Sequence, residues 1–283
     1  MVRVTTTNRR GVLRAGAGLV IGGALAAGCG SGRPAPSTPP ADASSPGSSS
    51  EADGSAPRSS SEAAAHGRSA ATARTAPAPR AYPGLPAQIT HGPRTRPQVA
   101  LTFHGQGDPA LAHSLLSAAE QHGARLTVLA VGSWLDEHPD LARRILDGGH
   151  DLGNHTQRHV SVNAMSEAAA RKEITDCADR LKRLTGSIGT WFRPSRAPTA
   201  APLVAGLARA AGYPHVLSYD VDSLDYTRPG AAAVTRKVLA EVTNGSVVSL
   251  HCGYPDTIAA LPDVLHELDR RGLRAVTTTE LLS

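Results

Sequence analysis

The chain has 283 residues, of which 40% are hydrophobic, so it is long enough for one large domain or two small ones. Its formal net charge of +5 comes from the N-terminal part. Residues 1–95 contain ten Arg and four Asp or Glu, whereas the rest contains nineteen Lys or Arg and twenty Asp or Glu. A nearly neutral folded part excludes nucleic acid as an expected partner, because it offers no net basic surface.

Residues 1–28 have the features of an export signal. Residues 8–14 read NRRGVLR, a twin-arginine pattern, and the apolar run 15–27 is too short for a transmembrane helix. Small residues then precede Cys29 in an arrangement that resembles a bacterial lipoprotein box, with Ala26 where that box usually has leucine. We expect cleavage before Cys29, a lipid on its thiol, and a protein anchored to the outer face of the cell membrane. Plain secretion is the alternative.

Residues 29–95 consist mainly of Ser, Pro, Ala and Gly with scattered Arg. Such a composition cannot bury enough apolar surface to offset the entropy lost on ordering the chain. We therefore predict a disordered tether over 29–95 and a folded domain over 96–283. The lipid on Cys29 is the one expected contact with the membrane, and we expect a monomer.

Strand and helix patterns alternate regularly from residue 96 onward. Predicted strands cover 98–103, 125–131, 150–154, 191–193, 216–221, 246–250 and 274–276. Predicted helices cover 109–122, 134–146, 166–184, 199–211, 231–242 and 257–271. The strands are short, continuous apolar runs, which is typical of parallel strands covered on both faces. The pattern predicts a parallel α/β fold, with a barrel as its natural closed form.

Polar residues suited to catalysis follow the predicted strand ends. They are His104, Asp108, His155, His159, Arg193, Asp222, Asp225 and His251. In parallel α/β folds this edge carries the active site, so the pattern predicts an enzyme. His155 and His159, four residues apart in GHDLGNHTQRH, could together hold one divalent metal ion.

The motifs occur in an order that resembles the polysaccharide deacetylase family, also called the NodB-homology domain or carbohydrate esterase family 4. The resemblance covers residues 97–282. The matching segments are VALTF, GHDLGNHTQRH, WFRP, YDVDSLDY, VVSLH and GLRAVTTTELL. It implies a distorted (β/α)7 barrel and a hydrolase that uses a divalent metal, with zinc expected and cobalt or nickel as options. The implied partner is an N-acetylated glycan such as peptidoglycan or a chitin-like N-acetylglucosamine polymer.

The resemblance also implies roles for individual residues. His155 and His159 would be metal ligands, and His251 would be the general acid that protonates the leaving amine, oriented by Asp225. Arg193 matches the arginine that in the family pairs with the catalytic aspartate.

The first motif departs from the family, whose members have two adjacent aspartates, a base and a metal ligand, where this chain has His104 and Gly105. His104 could serve as the base, kept neutral by Arg193, or as the third metal ligand. Asp108 is a second candidate for the third ligand, with helix capping before Pro109 as its alternative role.

Two further points stay open at this stage. One is whether the protein is a working deacetylase or an impaired member of the family that binds cell-wall glycan without hydrolysing it. Further departures from the family bear on this first point. Ser195-Arg196 stand where the family has proline and an aromatic residue, and Tyr226 stands where it has tryptophan. The second point is whether Cys177 and Cys252 form a disulfide.

Overall fold

Short parallel strands form the centre of the fold. A computed structural model describes residues 75–283 of the chain. The strands are β1 (Gln88–Ile89), β2 (Gln98–Gly105), β3 (Thr127–Ala130), β4 (Asp151–Asn154), β5 (Val216–Leu217), β6 (Val221–Asp222), β7 (Val247–His251) and β8 (Arg274–Ala275). Seven of the eight residues of β2 are buried, as expected of a continuous apolar run with both faces covered.

The strand order describes a distorted barrel. Five strands pair in parallel in the order β4-β3-β2-β7-β6, and β8 pairs with the start of β2. Phe192 bridges from Asn154 to Val216 and so joins β4 to β5, which pairs with β1. A further bridge joins His91 to Ser246, the residue directly before β7. The predicted α/β barrel is confirmed.

Helices fill the connections between strands. They are α1 (Pro109–Gln121), α2 (Gly132–Glu137), α3 (Asp140–Asp147), α4 (Glu167–Thr185), α5 (Pro202–Ala210), α6 (Ala231–Glu241), α7 (Pro255–Arg270) and α8 (Thr278–Leu281). Helix α4 begins and ends as its sequence predicts, since Ser166 caps its N-terminus and Gly186 ends it with a φ of 80°. Among residues 75–283, no helix is both long enough and apolar enough to span a membrane.

Three predicted elements differ in detail from the structure. The helix predicted over 134–146 is two helices, α2 and α3, because Pro139 lies between them and disfavours a helical residue before it. The fourth predicted strand is reduced to the bridge at Phe192. The fifth is split into β5 and β6.

The predicted tether is wrong for its last part. Residues 75–95 pack on the domain, with Ile89 1% exposed in β1 and Ala76 3% exposed. The ring of Tyr82 stacks on Trp191 with 5.6 Å between centroids. The folded domain therefore begins before residue 96. The predicted lipidation site Cys29, the predicted signal over 1–28 and the rest of the predicted tether lie outside the described residues.

The two cysteines of the described part are not linked. Cys177 and Cys252 are both buried free thiols. Burial raises the pKa of each to about 12, so neither is a reactive thiolate near neutral pH. Cys177 and Cys252 therefore do not form a disulfide, and both are separate thiols in the core.

Candidate active site

The carboxyl ends of the strands bring the predicted site residues together. His104 lies near the end of β2 and pairs in register with His251, the last residue of β7. His155 directly follows β4, and Asp225 lies in a short 3-10 turn after β6. These residues come from four separate strands, so parallel topology rather than nearness in sequence brings them to one edge.

Three histidines form a cluster with the geometry of a metal centre. One ring nitrogen each from His104, His155 and His159 lies within 4.8 Å of the other two. The ring centroids of His104 and His155 are 4.2 Å apart, and those of His155 and His159 are 5.0 Å apart. The predicted pair His155–His159 thus acquires a third imidazole, from the strand where the family has its aspartates.

His155 is oriented as a metal ligand would be. Its Nδ1–H donates to the backbone carbonyl of Arg193 at 3.0 Å, which leaves the lone pair on Nε2. That Nε2 is buried and has no hydrogen-bond partner among the described residues. Burial, and then the proximity of His159, hold the pKa of His155 well below its usual range, so the ring is neutral at physiological pH. An unpartnered, neutral, buried imidazole nitrogen is suited to a metal ion.

The backbone of His159 has an unusual conformation, and its carbonyl is hydrogen-bonded. Its φ is 55°, a left-handed conformation that costs energy in a non-glycine residue. The carbonyl of His159 accepts a hydrogen bond from Arg196 Nε at 2.9 Å. Burial, with a smaller effect from the charge of Arg196, lowers the pKa of His159 to about 4. This ring too is neutral at physiological pH.

Ser195 ties the histidine loop to the loop after Phe192. The hydroxyl of Thr156 donates to the hydroxyl of Ser195 at 2.9 Å, and the latter donates to the carbonyl of Val160. Ser195 is fully buried. Its replacement of the family's proline therefore has a structural role here, because it fixes the backbone between His155 and His159.

His104 is buried against Arg193. Its Nε2 lies 3.3 Å from Arg193 Nη1, and since an arginine can only donate, the imidazole accepts. Burial holds the pKa of His104 well below its usual range, and the nearby histidines and Arg193 lower it further. The expected neutral state is supported, although burial contributes more than Arg193. A neutral imidazole has one lone pair, so metal binding by His104 would compete with the hydrogen bond from Arg193.

Asp108 is not part of the cluster. It is exposed, it is the N-cap of α1, and its Oδ1 accepts the backbone N–H of Ala110 at 2.9 Å. Capping satisfies one of the free N–H groups at the start of the helix. The structure thus gives Asp108 its alternative role as a helix cap, outside the cluster, and places a ring nitrogen of His104 beside those of His155 and His159.

Arg193 is a fully buried cation without a carboxylate partner among residues 75–283. It donates to the hydroxyl of Thr102 and to the carbonyls of Leu217 and Ser218 at 2.8–3.1 Å. Burial lowers its pKa to about 10, which leaves it charged at neutral pH. Arg193 thus binds the backbone at the end of β5 and the side chain of Thr102 in β2, and it also contacts His104.

His251 and Asp225 form a charge-assisted pair. Nδ1 of His251 lies 2.7 Å from Asp225 Oδ1, and the backbone N–H of His251 donates to Oδ2 at 2.8 Å. Asp225 is fully buried and also accepts from the hydroxyl of Thr257 at 2.6 Å. The ring of His251 lies 4.4 Å from that of His104. A histidine oriented by a carboxylate beside a possible metal centre can donate a proton to a leaving group.

These residues open onto a cleft of about 630 Å³. Its lining residues are His104, Gln106, His159, Arg196, Ala197, Pro198, Tyr219, Asp222, Tyr226, Ser249, His251 and Tyr254. Tyr226 and Tyr254 contact the ring of His251 edge-on, at 5.8 and 5.5 Å between centroids. Sequence reasoning missed Tyr219 and Tyr254 as wall residues, although Tyr254 follows a strand end and so had the same positional signal as His251.

The remaining candidate aspartate, Asp222, and the nearby Asp220 have structural roles. Asp222 accepts the backbone N–H of Leu224 at 3.1 Å. Asp220 accepts from Arg94 at 2.7 Å and from the backbone N–H of Val247 at 2.7 Å. Both therefore satisfy turn and loop donors.

Comparison with known proteins agrees with this geometry. The polysaccharide deacetylase family profile matches residues 91–216. A peptidoglycan-N-acetylglucosamine deacetylase of Bacillus cereus is 31% identical over 194 residues, which are 67% of this chain and 90% of that protein. The chain belongs to the polysaccharide deacetylase family.

A second curated protein and a solved structure are also similar to this chain. A chitooligosaccharide deacetylase of a Bradyrhizobium species is 28% identical, over 62% of this chain and 85% of its own. The crystal structure of a family 4 carbohydrate esterase pseudoenzyme from Bacillus anthracis superposes with a TM-score of 0.66 at 23% identity, over 70% of each chain. That likeness establishes the shared deacetylase fold.

Proposed function

We propose that the protein is a metal-dependent hydrolase that removes acetyl groups from N-acetylated glycans at the cell surface. The observation that carries this proposal is the pair His251–Asp225 beside the three-histidine cluster in one cleft. Its relatives act on peptidoglycan and chitooligosaccharide, which makes N-acetylglucosamine the first sugar to test. Export by the twin-arginine signal and a lipid on Cys29 would place the cleft next to the cell wall.

The residues divide the chemistry between them. A divalent metal held by His104, His155 and His159 would polarise the acetyl carbonyl and lower the pKa of a water molecule. His251, with Nδ1–H held by Asp225, would deliver its Nε2 proton to the departing amine, and the buried carboxylate would stabilise the imidazolium. A pKa well below 6.5 makes His104 a weak base, so its lone pair serves better as a ligand than as a proton acceptor.

The cleft also has the surface that a sugar ring needs. Tyr226, which is 48% exposed, and Tyr254 both line the cleft, and both rings lie edge-on to that of His251. Aromatic faces bind the apolar face of a sugar, while ring hydroxyls reach polar groups at the edge. Tyr226 takes the position of the family's tryptophan and would provide this face with a smaller ring.

A second candidate function is glycan binding without hydrolysis. It is favoured by the surroundings of Gly105, where a Cβ atom would lie 2.9 Å from Trp134 and 3.1 Å from the backbone of Ala130. The space for the family's aspartate ligand is thus filled, and His104 must complete the metal site in competition with Arg193. Weak metal binding would leave a protein that still holds glycan.

One experiment separates the two functions. Acetate release from an N-acetylglucosamine oligomer is measured with zinc or cobalt added, with and without a chelator, alongside calorimetric binding of the same oligomer. Metal-dependent release supports the hydrolase, whereas binding without release supports the second function. The variant His251→Ala should lose at least about 100-fold in turnover while its metal content stays unchanged. Retained turnover would exclude His251 as the general acid.

A further inference from the structure

Arg196 brings a positive charge to the wall of the cleft. It is exposed and lines the cleft with His159 and Tyr226. Its Nε donates to the carbonyl of His159 at 2.9 Å. Its two terminal nitrogens have no protein partner in the part of the chain that the structure describes. Half of the guanidinium is therefore anchored, and the other half is free to bind a ligand.

The backbone around Arg196 limits where that charge can go. Its φ is 54°, and the preceding residue, Ser195, is fully buried and donates to the carbonyl of Val160. A guanidinium held at both its backbone and its Nε loses less conformational entropy on binding than a free side chain would. Such a group is suited to recognition rather than only to solubility.

The cleft contains no acid that neutralises Arg196. Among its lining residues the one carboxylate is Asp222, which accepts the backbone N–H of Leu224 and lies close to the hydroxyl of Tyr219. A neutral N-acetylglucosamine polymer would offer the terminal nitrogens of Arg196 only uncharged hydroxyl and amide oxygens, whereas a carboxylate would accept two charge-assisted hydrogen bonds from them.

We propose that Arg196 binds a carboxylate of the glycan, so that the cleft selects acidic N-acetylated glycans over neutral ones. The inference rests on the proposed function only in taking the cleft as a glycan site. The lactyl carboxylate of an N-acetylmuramic acid unit without a stem peptide and the carboxylate of a uronic acid share this chemistry. Both are negatively charged groups attached to a sugar next to an N-acetylglucosamine unit.

The test compares each acidic ligand with its uncharged methyl ester. Zinc-loaded protein is titrated calorimetrically with an oligosaccharide of alternating N-acetylglucosamine and N-acetylmuramic acid, and with its methyl ester. A second pair alternates N-acetylglucosamine with glucuronic acid, as acid and as ester. We expect at least one acid to bind about tenfold more tightly than its ester at low salt, and the ratio to shrink at high salt.

Variants at Arg196 test whether this residue causes the preference for acids over esters. Arg196→Gln should bring the acid-to-ester ratio close to one, Arg196→Lys should keep part of it, and Arg236→Gln, at an exposed arginine of α6 outside the cleft, should leave it unchanged. Thermal unfolding checks that each variant is folded. Equal binding of acids and esters, or a preference that survives Arg196→Gln, would overturn the inference. If the preference depends on Arg196 but no acetate is released, the hydrolase proposal fails and this inference stands.

Discussion

An imidazole in place of a carboxylate changes the charges around Arg193. In this chain the guanidinium faces the hydroxyl of Thr102, the ring of His104 and two backbone carbonyls, all neutral. A charge buried with neutral acceptors alone is costly, and the lowered pKa of Arg193, about 10, reflects that cost. The same charge disfavours protonation of His104 and so helps to keep the histidine cluster neutral.

This neutral cluster makes the stability of the metal-free protein depend on pH. The pKa of His159 falls from 6.5 to about 4 on folding, and those of His104 and His155 fall well below 6.5, mainly through burial. Between pH 6.5 and 4 the unfolded chain binds more protons, so stability is fully present above pH 6.5 and is lost as pH falls. We expect the unfolding temperature of the metal-free protein to be flat from pH 8 to 7 and to drop towards pH 5.

The variant His159→Gln isolates this effect from other titrating groups. It removes one imidazole, so the proton uptake on unfolding near pH 5.5, obtained from denaturant unfolding across pH, should fall by about one proton. A slope identical to that of the wild type would contradict the lowered pKa of His159.

Asp108 provides a second test at the residue scale. As an N-cap it should contribute stability and no metal affinity, so Asp108→Ala should cost about 0.5–2 kcal/mol of unfolding free energy. Zinc bound per chain, measured by atomic absorption, should not change. The variant His155→Ala is the matched control, because it should lose the metal. Loss of zinc from Asp108→Ala would restore the ligand role.

The sequence predicts some of these residues better than others. His155, His159, His251 and Asp225 follow strand ends, and the geometry of a parallel barrel brings strand ends together. Asp108 precedes a proline at a helix start, where a carboxylate can either cap the helix or point into the site. Nothing local to the sequence separates these two roles. The contact of His104 with Arg193 depends on residues 89 positions apart and was expected only through the family resemblance.

At the scale of elements, the packing of β2 against α2 explains why Gly105 has no side chain. An added Cβ would lie 2.9 Å from Trp134, 3.0 Å from Val128 and 3.1 Å from Ala130 Cα. Trp134 is itself fixed, since its indole N–H donates to the carbonyl of Gly107 at 2.8 Å. The ring therefore takes up the space in which a side chain at residue 105 would have to lie.

Gly105→Asp should consequently fail to restore the family's ligand. We expect a loss of about 1–3 kcal/mol from overpacking, and no gain in zinc affinity measured by competition with a chelating dye. Gly206→Asp is the control, because a Cβ at that exposed position of α5 meets nothing within 4 Å. A Gly105→Asp protein that is stable and binds zinc more tightly would show that Trp134 moves aside.

The ends of helices and strands are also predicted only in part by the sequence pattern. The proline between α2 and α3 was visible in the sequence, but the apolar pattern of residues 134–146 continues across it and conceals the break. Phe192 forms a single bridge on each side, because tertiary pairing with Asn154 and Val216, not local propensity, decides how much strand forms there.

At the scale of the whole molecule, the composition of the chain predicted that the domain starts at residue 96, whereas the structure shows it starting earlier. Residues 75–95 contain few large apolar side chains, and two of them anchor the segment: Ile89 is buried in β1, and Tyr82 stacks on Trp191. The backbone of this segment adds parallel pairing with β5, in the register Ile89 to Leu217. A window average over the sequence dilutes two well-placed anchors, Tyr82 and Ile89, among Pro, Ala and Thr.

The segment should therefore be required for folding of the barrel. A chain that starts at residue 75 should match the full-length protein in unfolding free energy, whereas one that starts at residue 96 should lose several kcal/mol or fail to fold, because β5 loses its partner and Trp191 its cover. Ile89→Ala in the full chain should cost about 2–5 kcal/mol. Leu85→Ala, at a position 36% exposed in the same segment, should cost much less. Equal denaturant midpoints for the two truncated chains would show instead that residues 75–95 rest on the barrel without supporting it.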